Sequence, residues 1–187
     1  MPDAATGGAE PRVRVFFALW PDATTAFCLH REARQLQRAC GGRLMRRDTI
    51  HLTLAFLGDT LVSRLPALAE AAAQVQVSPC TLVLDRCGSW HGNRVLWLGP
   101  SCPPAPIGLL AEQLGDALRE RGFGLEKRPF APHVTVVRNA LRAPAAAPLP
   151  AISWDVSAFV LVASERGSDG AHYREIGRWP LVEEAAS

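Results

Sequence analysis

The chain has 187 residues, 48% of them hydrophobic and 20% charged, and carries a net charge of +2. That length suits one sizeable core, or two small lobes sharing one, and the composition is that of an ordinary globular protein. A charge so close to zero offers no electrostatic grip on duplex DNA, and no apolar run approaches the roughly 18 residues of a membrane span.

Residues 1–11 lack the basic and apolar regions of a secretory signal and are expected to form a disordered leader, with a single domain over 12–182 and a tail at 183–187. The β-branched and aromatic run Val13–Trp20, "VRVFFALW", reads as a strand. Leu29, Ala33, Leu36 and Cys40 then share one helical face, with Asp22 or Thr24 to cap the helix and Gly41–Gly42 to end it. After "HLTLAFLG" from His51, a second helix is expected to run through Leu61, Leu65, Leu68, Ala72 and Val75, with Pro66 near its first turn. "CTLVLDR" from Cys80 and "RVLWLG" from Arg94 read as the arms of a hairpin, joined by a turn containing Gly88, Gly92 and Asn93.

Beyond a proline-rich connection, a third helix places Ile107, Leu110, Leu114 and Leu118 inward and stops near Gly122 or Gly124. "PHVTVVR" follows, then a loop or spacer over Leu141–Pro150 and strands at Trp154–Ala163 and His172–Trp179, parted by "GSDG". Helices and strands mix without strict alternation, so the expected class is α+β with mainly antiparallel sheets. The five cysteines (Cys28, Cys40, Cys80, Cys87, Cys102) are odd in number and form no CxxC, which fits a reduced, cytoplasmic protein.

Two short runs carry chemistry. In an extended chain alternate side chains share a face, so His51 lies beside Thr53 and is backed by Leu52 and Leu54; His133 lies beside Thr135 and is backed by Val134 and Val136. Imidazole titrates near neutrality, so one copy can remove a proton while the other delivers one, and a threonine hydroxyl can donate to an oxyanion at the point attacked. Facing copies of this pair suit a phosphodiester. Arg138, five residues beyond His133, falls on the opposite face of an ideal strand, and only a bulge or the strand end brings its guanidinium to a phosphate. A lone HxT in a strand is commonly a satisfied histidine next to a β-favouring threonine; its recurrence in a similar hydrophobic frame weighs against that reading. His30, His91 and His172 have no such frame and read as surface or loop residues. The histidine spacing matches no common metal-ligand pattern and there is no HExxH, so no metal is expected.

The paired "HLTL" and "HVTV" resemble the HxTx signature of the two-histidine phosphoesterases. Together with "RVFFAL", "WLG", "RPFAPHVTVVR" and the closing "Y…RW", the chain from about Arg14 to Trp179 is similar to the bacterial RNA 2',3'-cyclic phosphodiesterases, also called 2'-5' RNA ligases. The resemblance implies a bilobal α+β fold with two antiparallel sheets around a central cleft and one HxTx on each side. It makes His51 the proton donor to the departing ribose oxygen and His133 the base that activates water. Thr53 and Thr135 would hold phosphoryl oxygens, Arg138 would help hold phosphate, and Phe17 would contact the nucleoside. His172 stands before Tyr173 where a basic or polar residue is expected, a departure that bears on the substrate rim alone.

The implied reaction is hydrolysis of RNA 2',3'-cyclic phosphate ends to 2'-phosphomonoesters without a cofactor, with reversible 2'-5' ligation when a 5'-hydroxyl replaces water. An ATP-dependent ligase is disfavoured: there is no GxxxxGK[ST], and the sole lysine, Lys127, lacks a nucleophile's setting. The rivals are a phosphodiesterase for another cyclic nucleotide or an ADP-ribose cyclic phosphate, and a silent module that binds RNA ends. The expected partners are RNA ends or small cyclic-phosphate nucleotides, with neither DNA nor membrane, and the expected state is a monomer.

Overall fold

A computed structural model describes residues 10–90, 92, 94–144, 149–167 and 170–182. Residues 1–9 of the expected leader, His91, Asn93 of the expected hairpin turn, positions 145–148 of the spacer, positions 168–169 of the "GSDG" turn and the expected 183–187 tail lie outside the described residues. Residues 10 and 11 are tied to the fold: Pro11 O accepts a hydrogen bond from Val62 N at 3.0 Å, and Glu10 Oε1 accepts one from Ser63 N at 3.2 Å.

In chain order the elements are β1 (Arg12–Leu19), α1 (Ala23–Cys40), β2 (Arg43–Leu44), β3 (Leu52–Leu61), α2 (Leu65–Ala73), β4 (Cys80–Leu84), β5 (Arg86–Trp90), β6 (Val95–Gly99), α3 (Ala105–Glu120), β7 (Val134–Arg138), β8 (Ile152–Val156), β9 (Ala158–Gly167) and β10 (Gly170–Pro180). The architecture is α+β with two antiparallel sheets. The larger runs β10-β9-β1-β3-β7-β6-β5, with β2 beside β7, and the smaller pairs β4 with β8. Its two halves, one ending in β3 and the other in β7, meet at the pair Leu52–Val134.

Local chemistry explains the helices. Asp22 Oδ1 accepts from the backbone N of Thr24 at 2.7 Å and of Thr25 at 2.8 Å, satisfying two donors at the open end of α1. Gly41 ends that helix at φ 71°, a conformation a side chain resists. The second helix is shorter than its apolar spacing suggests. Leu61 closes β3, and a 3-10 turn over Val62–Arg64 precedes Leu65.

Alternation sorts the sheet into two faces. Val15, Phe17 and Leu19 of β1, Leu52 and Leu54 of β3, and Val134 and Val136 of β7 join one core with Leu29 and Ala33 of α1, Leu68 of α2, and Leu110 and Leu114 of α3. The helices therefore cover that face. A smaller cluster of Phe16, Ala18, Val160 and Val162 lies on the other, with Trp20 and Tyr173 packed against it. A one-residue slip of β3 would drive His51 and Thr53 into the core, so burial of Leu52 and Leu54 fixes which way the histidine points.

One expected pairing is corrected. Cys80–Leu84 does not pair with the "RVLWLG" strand; it pairs with β8, from Cys80↔Val156 to Leu84↔Ile152. The hairpin partner of β6 is β5, from Arg86↔Gly99 to Trp90↔Val95. Gly88, expected in the turn, is a strand residue beneath an indole: a Cβ there would collide with the Trp97 ring at Cζ2. The last two expected strands are three, because Trp154–Ala163 is divided between β8 and β9.

Candidate active site

Each histidine stands one residue before its strand, at the point where the two halves of the large sheet join. The antiparallel pair Leu52↔Val134 sets His51 level with Thr135 and Thr53 level with His133, all on the face opposite the two buried aliphatics. The imidazoles thus occupy diagonal corners of a four-residue patch and the hydroxyls the other two. Neither hydroxyl has a protein hydrogen-bond partner among the described residues.

The same device orients both rings. His51 Nδ1 donates to Thr49 O at 2.8 Å, and His133 Nδ1 donates to Ala131 O at 2.8 Å. A carbonyl only accepts, so each Nδ1 carries the hydrogen and each Nε2 is left to give or take a proton. Thr49 is itself fixed, because its Oγ1 donates to Arg46 O at 2.8 Å.

Aromatic walls surround the rings. The His51 imidazole is parallel to the Trp20 indole within 5°, with centroids 5.3 Å apart; Phe16 lies 4.8 Å away and Tyr173 meets it edge-on at 5.4 Å. Trp90 meets His133 edge-on at 4.3 Å and is backed by Trp97 at 5.8 Å. Burial in this shell pushes the His51 pKa down to about 4. The Thr49 hydrogen bond opposes that shift, while the charges of Arg138 and His133 add to it. Burial also lowers His133 from the ordinary 6.5, opposed by the Ala131 hydrogen bond and aided by Arg128.

Arg138 reaches this site through an irregularity. Between β6 and β7 the register steps from Leu96↔Val137 to Trp97↔Thr135, leaving Val136 as a bulge. Val136 and Val137 are both fully buried, so the next residue, Arg138, returns to the histidine face, where its charge acts on His51.

Phe17 requires correction. It is completely buried on the helix-covered face, packed on Phe159 at 6.1 Å and Trp179 at 5.8 Å, and cannot touch a nucleoside. Its neighbour Phe16 faces the site instead, as the floor under His51. His30 is half-buried on α1 and His172 is exposed on β10. Three walls of the site, Trp20, Trp90 and Trp97, lie outside the two HxTx motifs that mark it in the sequence. Trp20 was accessible from alternation with Phe16 and Ala18, whereas Trp97 needed the correct β6–β7 register.

These environments predict an acid-side optimum. If catalysis requires one neutral and one protonated imidazole, kcat/KM is bell-shaped in pH with both limbs below the ordinary 6.5, so it falls as pH rises through neutrality. Removing the Arg138 charge lifts one depressing influence from His51, so in Arg138→Gln the limb set by His51 moves to higher pH. Steady-state rates across pH with a cyclic-phosphate substrate check both points; a maximum above pH 7 would contradict them.

Two proton-carrying imidazoles on opposite corners, each beside a hydroxyl, define the class of the two-histidine phosphoesterases. Comparison with known proteins gives the family. Residues 21–168 match the 2'-5' RNA ligase superfamily, and the chain belongs to it. It is 34% identical to the RNA 2',3'-cyclic phosphodiesterase of Escherichia coli over 94% of this chain and 99% of that protein. It is 27% identical to the enzyme of that name from Thermus thermophilus over 90% of each chain. The crystal structure of E. coli LigT complexed with 3'-AMP superposes with a TM-score of 0.86 at 32% identity, covering 92% of this chain and 100% of that one.

Proposed function

We infer that this chain is an RNA 2',3'-cyclic phosphodiesterase that opens the terminal cyclic phosphate to a 2'-phosphomonoester. The observation that carries the reading is the diagonal pair of imidazoles, each locked through Nδ1 and open at Nε2. In-line displacement at phosphorus needs a base on the side of the entering oxygen and an acid on the side of the leaving one, and diagonal corners meet that need.

His133 Nε2 takes a proton from water as the water oxygen bonds to phosphorus. The bond from phosphorus to the ribose 3'-oxygen breaks, and His51 Nε2 delivers its proton to that oxygen. Thr53 and Thr135 donate to the non-bridging oxygens, and Arg138 offsets their charge. Burial and Arg138 leave His51 neutral in the free protein near pH 7; the anionic phosphate favours its protonated form and so arms the acid as substrate binds. With a 5'-hydroxyl entering in place of water, the same groups form a 2'-5' linkage.

All four catalytic side chains come from one chain, which suits a monomer. The acid, base and oxyanion donors are side chains, so the reaction proceeds without metal or nucleotide cofactor. DNA lacks the 2'-oxygen that the cyclic ester requires. Five free cysteines fit a reducing cytoplasm, and among the described residues no helix is long and apolar enough to cross a membrane.

The test is phosphorus NMR of the product from a defined oligonucleotide bearing a 2',3'-cyclic phosphate, with and without excess EDTA. The expected product carries its phosphate on the 2'-oxygen under both conditions. A 3'-phosphate or an even mixture would overturn the assigned roles, and loss of turnover with EDTA restored by zinc or manganese would overturn the metal-free mechanism.

A further inference from the structure

A groove of about 510 Å³ opens from the His51 side of the patch. Its walls include Arg43, Arg46, Thr49, Arg138, Gly170 and Tyr173. Thr49 supplies the carbonyl that holds His51, and Tyr173 lies against the His51 ring, so groove and imidazole share walls. No residue lining the groove is among the aromatic neighbours of His133.

The charges there are unusual for a sheet. Arg43 of β2 stands directly opposite Arg138 of β7 in the antiparallel register. Like charges placed across from one another are unfavourable unless something negative lies between them. Among the described residues neither arginine makes a salt bridge, whereas Arg46 is paired with Asp48 through bonds of 3.1 and 2.9 Å. The Arg43 guanidinium extends toward the start of β10, where a Cβ on Gly170 would lie 4.0 Å from its Nη1. The groove thus has two exposed guanidinium groups on its floor and, among the described residues, no carboxylate committed to them.

We propose that this groove binds the RNA strand on the 5' side of the cyclic phosphate, with Arg43 gripping the nearest internal phosphodiester, so that oligonucleotide ends are preferred over mononucleoside cyclic phosphates. The proposal rests on the reading of His51 as the acid. The oxygen that His51 protonates belongs to the terminal ribose, so that ribose sits on the His51 side and water enters on the His133 side. The strand continues from the same ribose through its 5'-oxygen, and the arginine-lined groove that shares Thr49 and Tyr173 with His51 lies on that side. Arg138 lies at the junction, between the reacting phosphate and the next one.

The test compares kcat/KM for a short RNA ending in a 2',3'-cyclic phosphate with kcat/KM for the matching nucleoside 2',3'-cyclic phosphate, in the parent protein and in Arg43→Gln. Losing one charge-assisted phosphate contact lowers the ratio of the two by about 10-fold or more. It also flattens the fall of log(kcat/KM) with log salt for the RNA by about 0.7, the share of one phosphate on a single strand. Arg43→Lys keeps the charge and restores part of both. A ratio and salt slope unaltered in Arg43→Gln would overturn the proposal, as would a parent protein that processes both substrates equally well. Binding of a fluorescent RNA with a 3'-phosphate is read in parallel by anisotropy. A parent protein without turnover whose affinity for that RNA still depends on Arg43 would sink the catalytic reading and leave the groove standing.

Discussion

Replacing His51 or His133 with alanine lowers turnover by about 10²–10⁴-fold, the range for loss of a general acid or base. The size follows from what each ring does. Water at neutral pH is a poor nucleophile and a ribose alkoxide a poor leaving group, and one Nε2 serves each problem. Among the described residues, the rings in contact with the two imidazoles are indole, phenyl and phenol, none of which replaces an imidazole as acid or base near neutral pH. The effects are not additive. If both groups act in one transition state, the double variant turns over about as slowly as the worse single one. Stopped assays on folded protein, verified by circular dichroism and thermal melting, measure this. Alanine at His51 also opens a gap between Trp20 and Tyr173, so a melting temperature near that of the parent must accompany the loss before it is ascribed to chemistry. A folded variant with near-parental rates would remove that histidine from the mechanism. His172→Ala, exposed on β10, serves as the control and is expected to be mild.

The histidine strands were legible because their signal is local: alternation alone puts His51 with Thr53 and Leu52 with Leu54, and the core then decides which pair faces in. Three features were not legible, each for a nameable reason. The strand at Cys80 has its partner at Val156, across most of the second half of the chain, and no turn sequence marks so distant a pairing. The chain also breaks between Leu84 and Arg86, where Asp85 leaves the strand path to accept hydrogen bonds from the backbone and hydroxyl of Ser101. Gly88 resembled a turn glycine because glycine is common in turns, yet its small size serves close packing against Trp97.

Phe17 was misassigned for a subtler reason. Adjacent phenylalanines on one strand must point to opposite faces, but β1 is buried on both, so hydrophobicity does not say which phenylalanine meets the site. The answer lies in register: Ala18 pairs with Thr53, which places Ala18 and its alternate neighbours Phe16 and Trp20 on the histidine face. Arg138 illustrates the limit from the other side. Ideal alternation turns it away, and the bulge at Val136 turns it back. Nothing in "HVTVVR" announces that bulge, because consecutive buried valines also suit a strand covered on both faces.

The threonines carry the second large effect. Thr53→Val and Thr135→Val are each expected to lower kcat by about 10- to 10³-fold, up to the loss seen when one oxyanion donor is deleted. Valine is the informative replacement, since it keeps the β-branched shape that suits a strand and removes only the hydroxyl. Both hydroxyls lie on the histidine face beside a titratable ring, without a protein partner among the described residues, so their hydrogen bonds are available to the substrate. As water adds to phosphorus, negative charge gathers on the non-bridging oxygens, and a donor aimed there strengthens most in the transition state. The loss should therefore appear in kcat more than in KM. The near-symmetric register about Leu52 and Val134 adds a sharper expectation: because His51 is level with Thr135 and His133 with Thr53, each hydroxyl serves one oxygen and the two single losses are of similar size. A valine variant that raises KM alone would show that its hydroxyl binds the ground state as strongly as the transition state. One that leaves both constants unchanged would take that threonine out of the oxyanion site.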